Sequence, residues 1–424
     1  MTSQTRRIAP LLIVVLSSVA MGQGLRAVPP NGAGLTNERL DRIGAIMNEH
    51  VAKGRMAGAI GLISRRGKVG YFETYGWQDK EANVPMKKDA IFRMYSMTKP
   101  ITGVAVMLLY EEGRFFLSDP VSKYLPELAK PKVAIVKTDP ATGAKTREVV
   151  PARREITILD LLRHTAGLDY RGPEDGNGKL LYQQLGIFSE SQTIGDAVKK
   201  LGQVPLVSQP GTIWEYGLSM DVLARLVEVV SGKTYHRFLE ERIFKPLGMV
   251  DTGFHVPPEK HSRLAKLYAP AEGQTVKPST AAPQTSYLKP AVLFGGGSGL
   301  VSTASDYLKF CQMLMNGGEL NGVRILSRKT VELMSADHLG EIPRAALLAP
   351  GYGFGFTVAV SRGVGQTGSI GSTGEYFWGG AAGTRFWIDP KEQMIGIFMI
   401  QILPHTSLTF GTQFRQLAYQ AISD

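Results

Sequence analysis

Ser96 and Lys99 stand three residues apart in Tyr95-Ser96-Met97-Thr98-Lys99-Pro100. On a helix, positions i and i+3 share a face, so a hydroxyl and an amine so spaced can meet. A serine beside a base is a nucleophile for acyl transfer. A lysine in a buried, partly apolar place is expected to have its pKa lowered, which suits it to take the serine proton. A serine at a helix amino terminus also has spare backbone N–H groups and a dipole that favours a developing oxyanion. The spacing by itself does not separate this nucleophile from an N-cap serine next to a surface lysine. A second Ser-x-x-Lys, at Ser286 and Lys289, lies between Pro283 and Pro290 and opens no helix, so it is set aside.

Other chemistry-bearing patterns fall away. Ser231-Gly232-Lys233-Thr234 has the tail of a phosphate loop, but Val227 stands where its first glycine is required. No Gly-x-Ser-x-Gly elbow and no His-Glu-x-x-His occurs. His255 and His261 share a loop without a third ligand, so neither a metal nor a cofactor is expected. Gly295-Gly296-Gly297 reads as a tight turn before a helix that begins at Ser305.

The elements that must position Ser96 are legible from periodicity. Residues 37–51 carry Leu40, Ile43, Ile46 and Met47 on one helical face. Residues 57–64 and 70–75 read as strands joined at Arg65-Arg66-Gly67. The apolar run 101–110 reads as a buried helix stopped at Gly113, with Pro100 tolerated in its first turn. Helices at 158–162, 222–230 and 237–244 follow. Strands return at 385–388 and 394–400 around Asp389-Pro390-Lys391-Glu392, and 411–422 suits a closing helix. Strands at both ends and helices between them predict an α/β (α+β) fold. Residues 28–115 and 290–424 are expected to build an antiparallel sheet domain flanked by terminal helices, with 116–289 as an inserted, mainly helical domain. A cleft between two such lobes is a common place for an active site.

The 424 residues, 43% hydrophobic and 20% charged, suffice for a large core. The net charge of +11 carries no arginine-rich run or zinc-finger spacing, so nucleic acid is not expected as a partner. Residues 1–22 read as a signal peptide: Arg6 and Arg7, an apolar stretch over 8–21, and small residues at Ala20 and Gly22. A periplasmic or secreted protein is expected, with no membrane insertion after cleavage. The single cysteine, Cys311, excludes an intramolecular disulfide and reads as a core residue. Oligomeric state leaves no mark on the sequence.

Four segments in one order carry a resemblance: Ser96-Met97-Thr98-Lys99, 161–168 (Leu-Leu-Arg-His-Thr-Ala-Gly-Leu), Tyr216-Gly217-Leu218-Ser219, and Trp378-Gly379-Gly380 followed by 386–390 (Phe-Trp-Ile-Asp-Pro). From about Leu35 onward the chain resembles the serine β-lactamase and penicillin-binding-protein superfamily, and most of all the family VIII carboxylesterases related to class C β-lactamases. The resemblance implies an acyl-enzyme on Ser96, Tyr216 as the shared acid and base, and an oxyanion hole made by the backbone N–H groups of Ser96 and Ala381. Trp378, Gly379 and Gly380 then form the substrate-binding strand edge. Gln366-Thr367-Gly368 is the closest literal match to the superfamily's third motif, but it lies too far before the strand at Phe386. His164 is implied to be structural.

Two departures shape the expected substrate. Leu218 stands where relatives that bind β-lactams have Asn, and Trp378 stands where they have a cation. The pocket loses an amide-binding side chain and a carboxylate partner, which favours neutral esters with short or medium acyl chains. Without a second lysine, Lys99 alone favours the Tyr216 phenolate, so an alkaline optimum is expected. Loops 170–204 and 264–293 are expected to line the pocket. A β-lactamase or D-alanyl carboxypeptidase, an acyltransferase of the same fold, and an inactive binding protein remain alternatives. The residues leave open whether Lys99 or Tyr216 takes the first proton.

Overall fold

The computed structural model describes residues 26–143, 145–170, 178–345, 347–405 and 409–424. Strands Gly58–Arg65 and Lys68–Asp79 form the hairpin expected around Arg66-Gly67. Met394–Met399 pairs antiparallel with the first of them. Arg385–Asp389, Tyr376–Gly379, Ala359–Ser361 and Tyr352–Phe354 follow in sequence across the sheet. Strands from both ends of the chain thus complete one nine-stranded sheet. Its pairing is antiparallel except at the edge, where Arg26–Ala27 runs parallel to Lys68–Asp79.

The sheet is covered on both faces, which is why its central strands are apolar at nearly every position. Successive side chains of a strand point to opposite faces. In Met394–Met399, Ile395, Ile397 and Met399 join one core, and Met394 and Phe398 join the other. The second core is closed by the terminal helices Asn37–Ala52 and Phe410–Gln420, which pack on each other. On the opposite face lies Ala304–Met315, with Cys311 buried in it.

Beyond this face stand the helices Ile158–Leu162, Ile194–Leu201, Ser219–Ser231 and Tyr235–Leu239. Helix Thr98–Glu111 packs against Ser219–Ser231. Elements of the middle region that were not anticipated include the helices Gly178–Leu185 and Ile194–Leu201, within the segment expected as a loop at 170–204, and an antiparallel hairpin of Lys132–Thr138 with Lys145–Pro151. The hairpin's signal was present in two β-branched runs on either side of Asp139-Pro140 and Gly143. The segment expected to be a signal peptide lies outside the described residues. Among the described residues, no helix is long and apolar enough to cross a membrane.

Candidate active site

Helix Thr98–Glu111 is buried from Thr98 to Leu109, as an apolar helix at the centre of a domain must be. Ser96 does not lie in that helix. It sits in the separate tight turn Tyr95–Met97 that leads into it. Tyr95 takes a φ of 45°, a costly left-handed conformation for a bulky residue. The surroundings hold it there. The Met94 N–H donates to the Leu300 carbonyl at 2.8 Å, and the Tyr307 hydroxyl donates to the Met97 carbonyl at 2.9 Å.

Lys99 is fully buried and three acceptors surround its amine. The Nζ atom donates to Ser96 Oγ at 3.2 Å, to the Tyr170 hydroxyl at 3.0 Å and to the Gly297 carbonyl at 2.7 Å. Three donors meeting three acceptors is the valence of an ammonium group. Its charge also lies 4.6 Å from the centre of the Tyr216 ring. Burial opposes the charge, but Tyr170 and Tyr216 more than offset it, so the Lys99 pKa stands above the ordinary lysine range. This corrects the expectation of a lowered pKa. The apolar desolvation is there, but polar and aromatic groups that favour the cation come with it.

Tyr216 is held by the segment that precedes it in the fold. The Thr157 hydroxyl accepts from the Asp160 N–H at 3.1 Å and caps helix Ile158–Leu162. The chain then turns at His164 and Gly167, both at positive φ. The Glu215 N–H donates to the His164 carbonyl at 2.9 Å and the Leu218 N–H donates to the Leu168 carbonyl at 3.1 Å. Gly217 lies so close to this segment that a Cβ there would collide with the Leu168 carbonyl oxygen. His164 is fully buried, accepts from the Gly217 N–H at 3.4 Å through Nδ1, and packs 4.9 Å from the Tyr216 ring. Burial, reinforced by the Lys99 charge, drives its pKa well below the usual histidine value. The neutral ring packs against Tyr216.

The third expected segment closes the site from the sheet. Trp378 lies in strand Tyr376–Gly379, and its indole N–H donates to the Tyr216 hydroxyl oxygen at 3.2 Å. Gly380 approaches the turn before Ser96 so closely that a Cβ would strike the Met94 carbonyl oxygen. This brings Gly379, Gly380 and Ala381 alongside the Tyr95–Met97 turn. His405 Nδ1 contacts the Ala381 carbonyl at 2.6 Å and fixes that peptide.

A cavity of about 500 Å³ flanks Lys99, lined by Tyr170, Leu218, Asp221 and Ser298 among others. Both loops expected to line the pocket contribute, through Ile187 and Phe188 and through Tyr287 and Pro290. Ser286 and Lys289, discarded as a nucleophile pair, are part of this lining.

Three participants were missed in the sequence. Tyr170 binds Lys99 and follows directly on the 161–168 run, so its place was findable. Its pKa is raised by burial, partly offset by Lys99. Gly297, read only as a turn, supplies a carbonyl to Lys99, and its N–H donates to Asp221 at 3.2 Å. Burial raises the Asp221 pKa, with Lys99 opposing the rise. Nothing local marks Gly297 or Asp221. Among the described residues, no cluster of three or more His, Cys, Asp or Glu could hold a metal.

The family model described as Beta-lactamase matches residues 43–420. Protein Rv1367c of Mycobacterium tuberculosis is 36% identical over 377 residues, covering 87% of this chain and 92% of the relative. Esterase EstB of Burkholderia gladioli is 29% identical over 369 residues, covering 82% and 86%. Among solved structures, EstCE1, described as a hydrolase with promiscuous acyltransferase activity, superposes with a TM-score of 0.75 at 26% identity, covering 91% of this chain and 98% of the other. The match spans all of the sheet but its edge strand Arg26–Ala27, the helical layer and every residue gathered around Ser96, and the chain therefore belongs to the beta-lactamase family of serine hydrolases.

Proposed function

We propose that this protein hydrolyses neutral carboxylic esters with short or medium acyl chains through an acyl-enzyme on Ser96. One observation carries the reading: the indole N–H of Trp378 is bonded to the Tyr216 oxygen, where a β-lactam-binding relative would carry a cation. The site has a base held by an uncharged donor and an apolar neighbour in Leu218, and Trp378 stands in place of the cation that would meet a substrate carboxylate. Similarity to EstB and EstCE1 supports the same reaction class.

In the proposed mechanism Lys99 stays an ammonium and Tyr216 carries the proton. Tyr216 acts as the phenolate: the Ser96 proton passes to its oxygen as Oγ bonds to the ester carbonyl carbon. The carbonyl oxygen takes the negative charge between the N–H groups of Ser96 and Ala381, each such donor contributing about 3–4 kcal/mol in the transition state. The intermediate collapses, the C–O bond to the alcohol breaks, and Tyr216 protonates the leaving oxygen. A water then loses its proton to Tyr216 and attacks the acyl carbon, the bond to Oγ breaks, and Tyr216 returns that proton to Oγ, which restores the serine hydroxyl and the phenolate. The Lys99 ammonium steadies Oγ and the Tyr216 oxygen throughout. No cofactor enters the scheme.

The test is a direct comparison of kcat/KM for p-nitrophenyl butyrate, benzylpenicillin and a D-alanyl-D-alanine peptide. Ester turnover far above the other two supports the proposal. Preferential penicillin or peptide cleavage overturns it in favour of a lactamase or carboxypeptidase. Product analysis with an added alcohol separates hydrolysis from acyl transfer. For location we propose export, on the strength of Arg6, Arg7, the apolar 8–21 stretch and Ala20 and Gly22. Amino-terminal sequencing of protein from the envelope or medium, starting after about residue 22, supports it. An intact amino terminus in the cytoplasm contradicts it.

A further inference from the structure

The cavity beside Lys99 ends against Phe254, Pro290 and Ala291. The same three residues form one side of a second cavity of about 600 Å³, which continues among Phe244, Met249, Phe294 and Val301. These three side chains thus face both cavities, and all three are hydrocarbon. Phe254 is the largest of them and only 5% exposed. Its ring packs edge-on at 5.9 Å from Tyr235 and 5.1 Å from Phe294. Of the charged residues of the second cavity, Glu240 and Lys245 are solvent-exposed and the half-buried Asp251 and Lys260 are paired with each other at 2.8 Å, while Ile91, Met249 and Val301 are buried. The interior of the second cavity is thus suited to an aliphatic chain. No step of the reaction uses it.

We propose that Phe254 sets the upper length of the acyl chain. It closes the first cavity, and the second is the space that a longer chain enters once this side chain is cut back. The inference rests on the ester-hydrolase reading and names its specificity determinant. The acyl arm is the occupant because it stays tethered to Ser96 through both chemical steps. The alcohol must leave between them, so it does not dwell in the site as the acyl arm does.

The test uses the full-length protein, wild type, Phe254→Ala and Phe254→Leu, with p-nitrophenyl esters from acetate to palmitate. A second series varies the alcohol of butyrate esters from methyl to dodecyl. In Phe254→Ala, the laurate-to-butyrate ratio of kcat/KM rises on the order of tenfold or more, since each newly buried methylene adds to binding. Phe254→Leu removes less volume, is the gentler change to the core, and shifts the ratio the same way by less. The alcohol series keeps its wild-type order. An unmoved acyl ratio in folded variants that still label with a fluorophosphonate overturns the inference and leaves ester hydrolysis standing. A shift confined to the alcohol series overturns it too. If wild type neither turns over butyrate nor reacts with the fluorophosphonate, the ester reading falls and this inference falls with it.

Discussion

Replacing Trp378 by Phe removes one bond from the site and little else. The indole N–H lies 3.2 Å from the Tyr216 oxygen, and the two rings pack with centroids 5.2 Å apart. Phenylalanine keeps much of that packing, and Tyr216 is only partly buried, so water replaces the lost donor in the resting enzyme. A bond between neutral groups contributes about 0.5–1.5 kcal/mol net, and one to a charged group about 1.5–3 kcal/mol. If Tyr216 acts as the base, its oxygen is anionic when it takes the Ser96 proton, so the indole bond matters more there than at rest. The difference, about 1–1.5 kcal/mol, corresponds to about a five- to tenfold loss in kcat/KM. The assay is ester turnover in wild type, Trp378→Phe, Tyr216→Phe and the double variant, with the fluorophosphonate labelling rate as readout where turnover is too slow. The account requires the loss to vanish in the Tyr216→Phe background. An unchanged kcat/KM, or the same loss without the Tyr216 hydroxyl, refutes the assignment of Trp378 to Tyr216.

Four further outcomes follow from the geometry. Lys99→Met removes the ammonium that meets Ser96 Oγ and is expected to lower the acylation rate by about 10²–10³, as loss of one transition-state charge partner does. Because the Lys99 pKa is raised, wild-type kcat/KM is expected to climb into alkaline pH with no falling limb below the ordinary lysine value of 10.5, and a pH–rate profile checks this. His164 is buried with a depressed pKa, so below the usual value of 6.5 the unfolded chain binds a proton that the folded one refuses. Stability then falls with decreasing pH by about 1.4 kcal/mol per unit from this group. His164→Asn, which suits the φ of 58° and offers an acceptor to Gly217, is expected to flatten that slope in denaturant titrations below pH 6.5. Gly217→Ala drives a Cβ into the Leu168 carbonyl, displaces Tyr216, and is expected to lose most kcat while circular dichroism stays native.

The fold was legible where one physical signal dominated. Short apolar runs and the Arg66-Gly67 and Pro390 turns marked both hairpins of the central sheet, and Leu40, Ile43 and Met47 marked the helix behind it. Ser96, Lys99, Tyr216 and Trp378 were legible from motif order, and the structure brings Lys99 to Ser96 and Trp378 to Tyr216. The electrostatics were not legible. Whether a buried lysine sheds or keeps its proton depends on what faces it, and Gly297 and Tyr170 reach Lys99 from 198 and 71 residues away. The role of Trp378 was half visible: its type announced a missing cation, and only the fold turned its N–H onto Tyr216. Hairpin Lys132–Thr138 with Lys145–Pro151 went unread although β-branched runs mark both strands, because few of its positions are buried and no core face sets it apart from a loop.

The central claim is that Ser96 is the acylated nucleophile, and intact-mass spectrometry tests it most directly. Wild type and Ser96→Ala are exposed briefly to a fluorophosphonate, to p-nitrophenyl butyrate and to benzylpenicillin. The account predicts a single fluorophosphonate adduct on wild type and none on Ser96→Ala, with rapid release of p-nitrophenol and little penicilloyl adduct. A folded wild type that takes up no adduct, or a Ser96→Ala variant that labels as fast as wild type, contradicts it.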